Sequence, residues 1–340
     1  MYSEKKIIHM KLNGDNLVEQ IINRGYLDIT IPKRLNLINE IKKLKKQKNA
    51  VLLVHYYQDP LIQELADYLG DSLYLAQRAS KIDNDIIVMA GVHFMAETAK
   101  IVNPKKKVLL PDLKAGCSLA DSCQPIDFKL FKNKYPNAIV VTYINCSAEI
   151  KTLSDIVCTS SNAKRVIESI PEDKEIIFAP DKNLGKYLIK ETGRNMILWD
   201  GACIVHEAFS FEKVLKLSME NPDAKFIAHP ESESSILDFA SFVGSTTGLL
   251  NFVQKDSSNK YIVATEVGIL YEMKKKCPDK IFIPAPVQDD TCACSECAYM
   301  KMNTLEKLYN CLLYELPEVN LSNEIIARAK KPIERMLDLG

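Results

Sequence analysis

Three stretches of the sequence share one pattern of residue types, and together they decide the fold. They are NAVLLVHYYQDPLIQELADYLGDSLYLAQRA (residues 49–79), NAIVVTYINCSAEIKTLSDIVCTSSNAKRVI (137–167) and DAKFIAHPESESSILDFASFVGSTTGLLNFV (223–253). Each opens with a short run rich in β-branched residues, which is typical of a strand buried in a parallel sheet. Equivalent residues lie 88 and 86 positions apart, so the sequence predicts a threefold internal repeat.

Polar residues recur at three equivalent positions of each copy. The predicted strand ends on one, a second follows two residues later, and a hydroxyl follows seventeen residues after the first. The strand-end residues are His55, Tyr143 and His229. The residues two positions later are Tyr57, Asn145 and Glu231, and the hydroxyl residues are Ser72, Ser160 and Thr246. Functional groups of parallel α/β units collect beyond the carboxyl ends of the strands. We therefore expect all three sets on one edge of each unit.

The second half of each copy repeats as helix, strand, helix and last strand. The middle strands are DIIVMA, EIIFAP and KYIVAT, and the last strands are KKVLLPD, NMILWD and KIFIPAP. This alternation predicts an α/β protein whose parallel sheets are covered by helices on both faces, with right-handed crossovers. Three functional edges that face one another then form a single central site.

The rest of the chain lies outside the repeats. An irregular polar extension is expected over residues 1–33, and an amphipathic helix with a solvated lysine face over 34–48. C-terminal helices, interrupted by Pro317, are expected after the third repeat. The predicted boundaries are 1–48 for the extension and first helix, 49–120, 121–206 and 207–302 for the repeats, and 303–340 for the C-terminal helices.

Charge and hydropathy exclude several classes of function. The 340 residues carry 44 basic and 44 acidic side chains, so no general attraction to nucleic acid or to an anionic membrane is expected. No apolar run approaches the 18 residues that a membrane-spanning helix needs, and charges interrupt the N-terminal stretch where a signal peptide would be apolar. We therefore expect a cytoplasmic protein.

Nine of the ten cysteines fall into two groups, and Cys123 is assigned to neither. Disulfides are disfavoured in the cytosol, and Cys146, Cys158, Cys277 and Cys311 stand in apolar or helical contexts that suit buried free thiols. In contrast, a cysteine follows each predicted last strand. These are Cys117, Cys203 and one or more of Cys292, Cys294 and Cys297 in the polar segment QDDTCACSEC.

One cysteine from each repeat favours an iron–sulfur cluster over zinc. Structural zinc usually takes four ligands in closely spaced pairs, and the second pair is missing here. A [4Fe–4S] cluster usually has four cysteine ligands, so three leave one iron open to substrate as a Lewis acid. Radical chemistry on S-adenosylmethionine would need a CxxxCxxC grouping, which is absent. Zinc and free thiols remain the alternatives.

Longer stretches of the sequence resemble the quinolinate synthase family. They run from about residue 50 to 310 and comprise HYYQ, GDSLYLAQRA, AGVHFMAETAKI, KAGCSLADSC, VVTYIN, LWDGACIVHEAF, AHPE, GSTTG, ATEVGILYEM and CAYMKMNTLEKL. The resemblance implies three αβα sandwich domains related by pseudo-threefold symmetry. It also implies condensation of iminoaspartate with dihydroxyacetone phosphate to quinolinate, phosphate and two waters, which serves NAD biosynthesis.

The family binds one [4Fe–4S] cluster per chain through three cysteines. The resemblance implies that the ligands are Cys117, Cys203 and Cys297, the last because the residues after it, AYMKMNTL, match the family's ligand context. Spacing within the repeat alone would have favoured Cys292 or Cys294. Many members end in CxxCxxC, whereas this chain has CxCxxC, so the roles of Cys292 and Cys294 stay open.

The central residues receive roles from their chemistry and from the resemblance. Glu231 is the expected general base, with Tyr57, His55 and His206 as further catalytic residues. Substrate binding is assigned to His55, Ser72, Tyr143, Asn145, Ser160, His229, Glu231 and Thr246. The three hydroxyl residues are expected at helix starts, where they either bind phosphate or act as plain N-caps. His93 also falls at a strand end and receives less weight.

Two other classes of protein remain as competitors. Another cluster-dependent hydro-lyase would share the open iron but need no phosphate site, and an iron–sulfur sensor or scaffold would need no convergent catalytic groups. The expected partners are iminoaspartate, dihydroxyacetone phosphate and the enzyme that supplies iminoaspartate. The oligomeric state does not follow from the sequence.

Overall fold

Three four-stranded parallel sheets form the framework of the protein. The structure is a computed structural model that describes residues 14–288 and 295–340, with side chains from residue 17 onward. The sheets share one strand order, in which the first strand of each lies between the second and the third and the fourth lies at the edge. This confirms the α/β class and the three parallel sheets.

The strands of each sheet lie inside one predicted repeat, whereas the repeat boundaries themselves remain predictions. The first sheet contains β1 (Ala50–His55), β2 (Tyr68–Gly70), β3 (Ile86–Ala90) and β4 (Lys107–Leu109). The second contains β5 (Ile139–Tyr143), β6 (Ile156–Cys158), β7 (Ile176–Ala179) and β8 (Ile197–Leu198). The third contains β9 (Lys225–Ala228), β10 (Phe242–Val243), β11 (Lys260–Ala264) and β12 (Ile281–Pro284).

Helices connect these strands and flank the repeats. Those before and within the first repeat are α1 (Gly14–Arg24), α2 (Leu37–Gln47), α3 (Pro60–Gln63), α4 (Ser72–Ala79), α5 (His93–Val102) and α6 (Ser118–Asp121). The next are α7 (Pro125–Lys132), α8 (Ala148–Lys151), α9 (Ala163–Glu168), α10 (Lys182–Thr192), α11 (Ile204–Glu207) and α12 (Phe211–Glu220). The last are α13 (Ser234–Phe239), α14 (Thr246–Lys255), α15 (Ile269–Lys276), α16 (Ala298–Lys301), α17 (Leu305–Tyr314) and α18 (Asn323–Asp338).

Both faces of each sheet are buried, which explains the continuous apolar runs of the central strands. In β1, Val51 and Leu53 pack into one core that also receives side chains from the second and third sheets. Leu52 and Val54 point to the other face, where α2 and α17 cover them. Because the core beside Val51 and Leu53 contains side chains of all three sheets, it joins the three units. Full burial of each such side chain stabilises the fold by roughly 1.5–3 kcal/mol.

Two expectations about the framework are wrong. The sequence predicts three strands per unit, but each sheet has a fourth, the short strands β2, β6 and β10. Strands of two or three residues show no alternation that a pattern can detect. The extension is also not irregular throughout, because α1 occupies residues 14–24 and Leu27 is buried beyond it. The predicted helix over 34–48 is confirmed as α2, with Ile41 and Leu44 buried.

The C-terminal helices α17 and α18 form as expected, with Pro317 between them. Helix α18 packs against α5 of the first unit and against α8 and β6 of the second. Its residues Ala329, Ile333 and Met336 belong to the shared core. Among the helices of the described ranges, none is both long and apolar enough to cross a membrane.

Candidate active site

The carboxyl ends of the three sheets converge on one cavity of about 240 Å³. All thirteen residues that the sequence assigned to a site line it, namely His55, Tyr57, Ser72, Cys117, Tyr143, Asn145, Ser160, Cys203, His206, His229, Glu231, Thr246 and Cys297. They come from all three repeats, so the predicted facing edges are present. Their chemical roles are a separate question, which their contacts address.

The three cysteines occupy equivalent places at the cavity wall. Cys117, Cys203 and Cys297 each stand directly before a four-residue helix, namely α6, α11 and α16, and all three are free thiols. Cys292 and Cys294 lie outside the described residues. The four cysteines assigned to the core, Cys146, Cys158, Cys277 and Cys311, are buried free thiols as expected.

The environment of these thiols suits ligands of a metal cluster. Burial, together with the charge that Cys297 would carry, raises the pKa of Cys117 to about 12. Burial also raises the pKa of Cys203 well above its usual value, with Glu231 adding to the increase. Such thiols stay protonated in the absence of a positive charge, and a bound metal reverses this by stabilising the thiolate. Three half-buried thiols from three repeats around one cavity therefore fit an iron–sulfur cluster with three protein ligands.

Two histidines share one backbone arrangement that fixes their tautomer. The N–H of Tyr57 donates to Nδ1 of His55 at 3.2 Å, and the N–H of Glu231 donates to Nδ1 of His229 at 3.4 Å. Burial lowers the pKa of His55 to about 4 and that of His229 to about 3. Both imidazoles are therefore neutral near pH 7 and carry their proton on Nε2, which makes them hydrogen-bond donors to a bound anion or carbonyl.

Glu231 lies at the centre of the polar wall and is 3% exposed. Oε1 accepts a short hydrogen bond from the hydroxyl of Tyr143, and Oε2 lies 3.0 Å from Nδ1 of His206. Burial alone would raise the pKa of Glu231, but the charge and hydrogen bond of His206, with a hydrogen bond from Tyr143, lower it to about 2. The side chain is therefore an ionised carboxylate held by two donors.

Tyr57 connects to Glu231 through a chain of side chains. Its hydroxyl lies 2.8 Å from Oγ1 of Thr246 and 2.9 Å from Oγ1 of Thr265. Oγ1 of Thr265 lies 3.1 Å from Nε2 of His206, whose Nδ1 faces Glu231. When Nδ1 carries the proton, Nε2 accepts from Thr265, so the path from phenol to carboxylate is continuous. Sequence reasoning missed Thr265, although it stands at the end of the quoted strand KYIVAT.

The three hydroxyl residues lie at the cavity, and two of them, Ser72 and Thr246, stand at helix starts as expected. Ser72 and Thr246 are the first residues of α4 and α14, and the capping hydrogen bonds come from the preceding Asp71 and Ser245. Ser160 lies in the turn before α9, which begins only at Ala163, so its predicted helix start is wrong. None of the three is therefore the N-cap of its helix.

Two further residues complete the description of the site. Oδ1 of Asn145 is buried, and no donor among the described residues reaches it, which leaves it available to a substrate N–H or O–H. His93 does not line the main cavity. It lies in a neighbouring one, where its Nδ1 is 3.5 Å from Oε1 of Glu97.

The fold and the cavity define a class of protein: a threefold α/β repeat that converges on one site with a cysteine from each unit. The model of the quinolinate synthetase A protein family matches residues 39–338. The chain belongs to this family, which confirms the resemblance seen in the sequence.

Curated relatives match over nearly their whole length. The quinolinate synthase of Gloeothece citriformis is 59% identical over 305 residues, which cover 90% of this chain and 94% of that protein. The quinolinate synthase of Chloroherpeton thalassium is 58% identical over 307 residues, or 90% and 95% of the two chains. That of Thermosynechococcus vestitus is 56% identical over 309 residues, or 91% and 97%.

Proposed function

We propose that the protein is a quinolinate synthase, which condenses iminoaspartate with dihydroxyacetone phosphate to form quinolinate, phosphate and two waters for NAD biosynthesis. The observation that carries this proposal is the single cavity lined by a cysteine, a strand-end polar residue and a hydroxyl residue from each of the three repeats. Membership of the family and the names of its relatives support it.

Cys117, Cys203 and Cys297 would hold one [4Fe–4S] cluster. With three protein ligands, a bound cluster would keep one iron open and would supply Lewis-acid chemistry toward a hydroxyl or carboxylate of the substrate. Glu231 and His206 lie beside this place, since Nδ1 of His206 is 3.2 Å from Sγ of Cys203. Glu231 and His206 could therefore transfer protons at substrate atoms next to the atom that the iron would polarise.

Anion binding is assigned to the hydroxyl residues. Ser72 and Thr246 begin helices of eight and ten residues, whose first N–H groups and dipoles favour a phosphate. Ser160 adds a third hydroxyl from the second unit. The neutral imidazoles of His55 and His229 donate from Nε2, and Asn145 accepts through Oδ1. These groups orient the two substrates for formation of the carbon–carbon bond.

Proton transfer is assigned to Glu231 and the groups bonded to it. The ionised carboxylate removes a proton from a substrate carbon, and Tyr143 and His206 hold it in place. Burial keeps the pKa of Tyr57 well above its usual value, so its hydroxyl stays protonated and can donate to a leaving hydroxyl. Thr265 and His206 then link Tyr57 to Glu231 for return of the proton.

Anaerobic purification is the first test of this proposal. We expect about four irons and four sulfides per chain, a visible absorption band, and quinolinate formed from iminoaspartate and dihydroxyacetone phosphate. A cluster without quinolinate would favour the hydro-lyase or the sensor, and zinc without iron would rule out the cluster itself.

The hydrogen-bonded path through Thr265 predicts a moderate loss of kcat when the hydroxyl of Thr265 is removed. Thr265→Val keeps a similar shape but removes the hydroxyl between Tyr57 and His206, so we expect kcat to fall about five- to tenfold at unchanged iron content. Thr265→Ser restores a hydroxyl and serves as the matched control. Equal kcat for the valine variant and the parent, measured as quinolinate formed per loaded chain, would contradict the path.

A further inference from the structure

A wholly buried carboxylate lies beside the third cysteine. Glu266 is the second residue after β11, which ends at Ala264, and it is 0% exposed. Its Oε1 accepts a hydrogen bond from the N–H of Cys297 at 3.2 Å, and its Oε2 accepts one from the N–H of Gly268 at 2.7 Å. The ammonium of Lys301 lies 3.5 Å from Oε1. A carboxyl group withdrawn from water is stabilised when its oxygens find such donors, so these contacts hold the side chain of Glu266 in place.

The same contacts join the third cysteine to the loop that carries Tyr57. Nζ of Lys301, in α16, donates to the carbonyl of Tyr57 at 2.9 Å. Nε2 of Gln58 donates to the carbonyl of Met300 at 2.9 Å. A Cβ at Gly268 would lie 2.7 Å from Cα of Tyr57, so the two loops touch without space between them. The loop of Tyr57 from the first unit and two segments of the third unit, the loop after β11 and α16, thus meet around Glu266.

The residue of the second unit that is equivalent to Glu266 is Asp181, and it makes different contacts. Ala179 pairs with Thr142, and Ala264 pairs with Ala228, which is the repeat equivalent of Thr142. Ala179 and Ala264 are therefore equivalent, and the residue two positions on is Asp181 in the second unit and Glu266 in the third. Asp181 accepts from the N–H groups of Asn183 and Leu184 and caps its own helix, α10. The longer side chain of Glu266 instead reaches a main-chain group of another segment, the one that contains Cys297.

We infer that Glu266 is a positioning residue for the third cluster ligand: its carboxylate fixes the main chain at Cys297 and, through Lys301, the loop of Tyr57. This role rests on the proposed function, in which Cys297 holds the cluster. Neighbours that orient a metal ligand often change metal affinity 10- to 100-fold when they are removed.

The first measurement is the rate of cluster loss. Glu266→Ala, Glu266→Gln and the parent are loaded anaerobically, and loss of the visible band is followed after addition of a ferrous-iron chelator. We expect Glu266→Ala to lose iron about 10- to 100-fold faster. Glu266→Gln keeps one acceptor oxygen for Cys297 and should lie between. Glu272→Gln is the control, because Glu272 is a buried carboxylate of the same unit outside the cavity.

The second measurement needs no cluster. In metal-free protein, alkylation of individual cysteines by iodoacetamide is followed by mass spectrometry. We expect Glu266→Ala to raise the rate at Cys297 several-fold and to leave Cys117 unchanged, because only Cys297 loses its fixed main chain.

The two measurements separate the two proposals. A parent without iron would overturn the cluster, while the alkylation pattern would still decide the role of Glu266. Parent-like alkylation of Cys297 in a Glu266→Ala variant with an unchanged melting temperature would overturn the inference, and so would parent-like loss of iron.

Discussion

Glu231→Gln is expected to lower quinolinate turnover by at least about 100-fold and to leave the cluster in place. Removal of a positioned general base typically costs 10²- to 10⁴-fold in rate. Glutamine has nearly the same size and can keep contacts with Tyr143 and His206, but its amide cannot take a proton from carbon. The iron content should therefore match the parent, and the loss should fall on kcat.

The matched control for this variant is Glu233→Gln, two residues further along the chain. Glu233 is exposed and makes no capping hydrogen bond to α13, so its loss should leave turnover unchanged. Turnover near the parent value in Glu231→Gln would exclude Glu231 as the base. An equal loss in both variants would indicate a general effect of charge rather than catalysis.

Cys203→Ala is expected to abolish both the cluster and the activity. Cys203 is the thiol that the second unit contributes to the cavity, and two remaining protein ligands hold a cluster poorly. We expect iron per chain to fall below about a tenth of the parent value after anaerobic loading, with quinolinate formation lost in parallel.

Cys311→Ala separates this effect from the loss of any buried thiol. Cys311 is buried in α17, against the outer face of the first sheet and away from the cavity. Its replacement should cost about 1 kcal/mol of stability and leave the iron content unchanged. A Cys203→Ala variant that keeps four irons would contradict the assignment of this ligand.

The repeat made most of the fold predictable. Parallel strands buried on both faces leave continuous apolar runs such as AVLLVH, and the same runs returned at nearly constant spacing. The strand-end positions were predictable for the same reason, because His55, Tyr143 and His229 follow the apolar runs directly. The edge strands β2, β6 and β10 were not, since two or three residues carry no periodic signal.

The missed site residues lack this regularity. Thr265 and Glu266 follow β11, but the equivalent residues are Gly91 and Val92 in the first unit and Pro180 and Asp181 in the second. A comparison of the three copies therefore gives them no weight. Their importance arises from contacts with distant parts of the chain. Thr265 contacts His206 of the second unit, and Glu266 contacts Cys297, which lies 31 residues later in the third unit.

The wrong assignment of Ser160 has a similar cause. The second repeat places Asn162 before α9 and forms a turn at residues 159–162, where the first and third repeats enter their helices at once. Asn162 accepts from the N–H of Thr159 and donates to the carbonyl of Met336 in α18. The local change thus follows from docking of the C-terminal helix, which lies 174 residues away in the sequence.

The residue two positions beyond the strand-end polar residue differs in chemical type among the three repeats. Tyr57 is a hydrogen-bond donor, Asn145 offers an unpaired acceptor and Glu231 is an anion, although the repeat places all three at the same cavity. An unmodified threefold frame would present the same surface in three directions and could not tell one end of a molecule from the other. Divergence at this position makes the three walls of the cavity chemically different, so the proposed pair of unlike substrates would each find a different set of hydrogen-bonding groups.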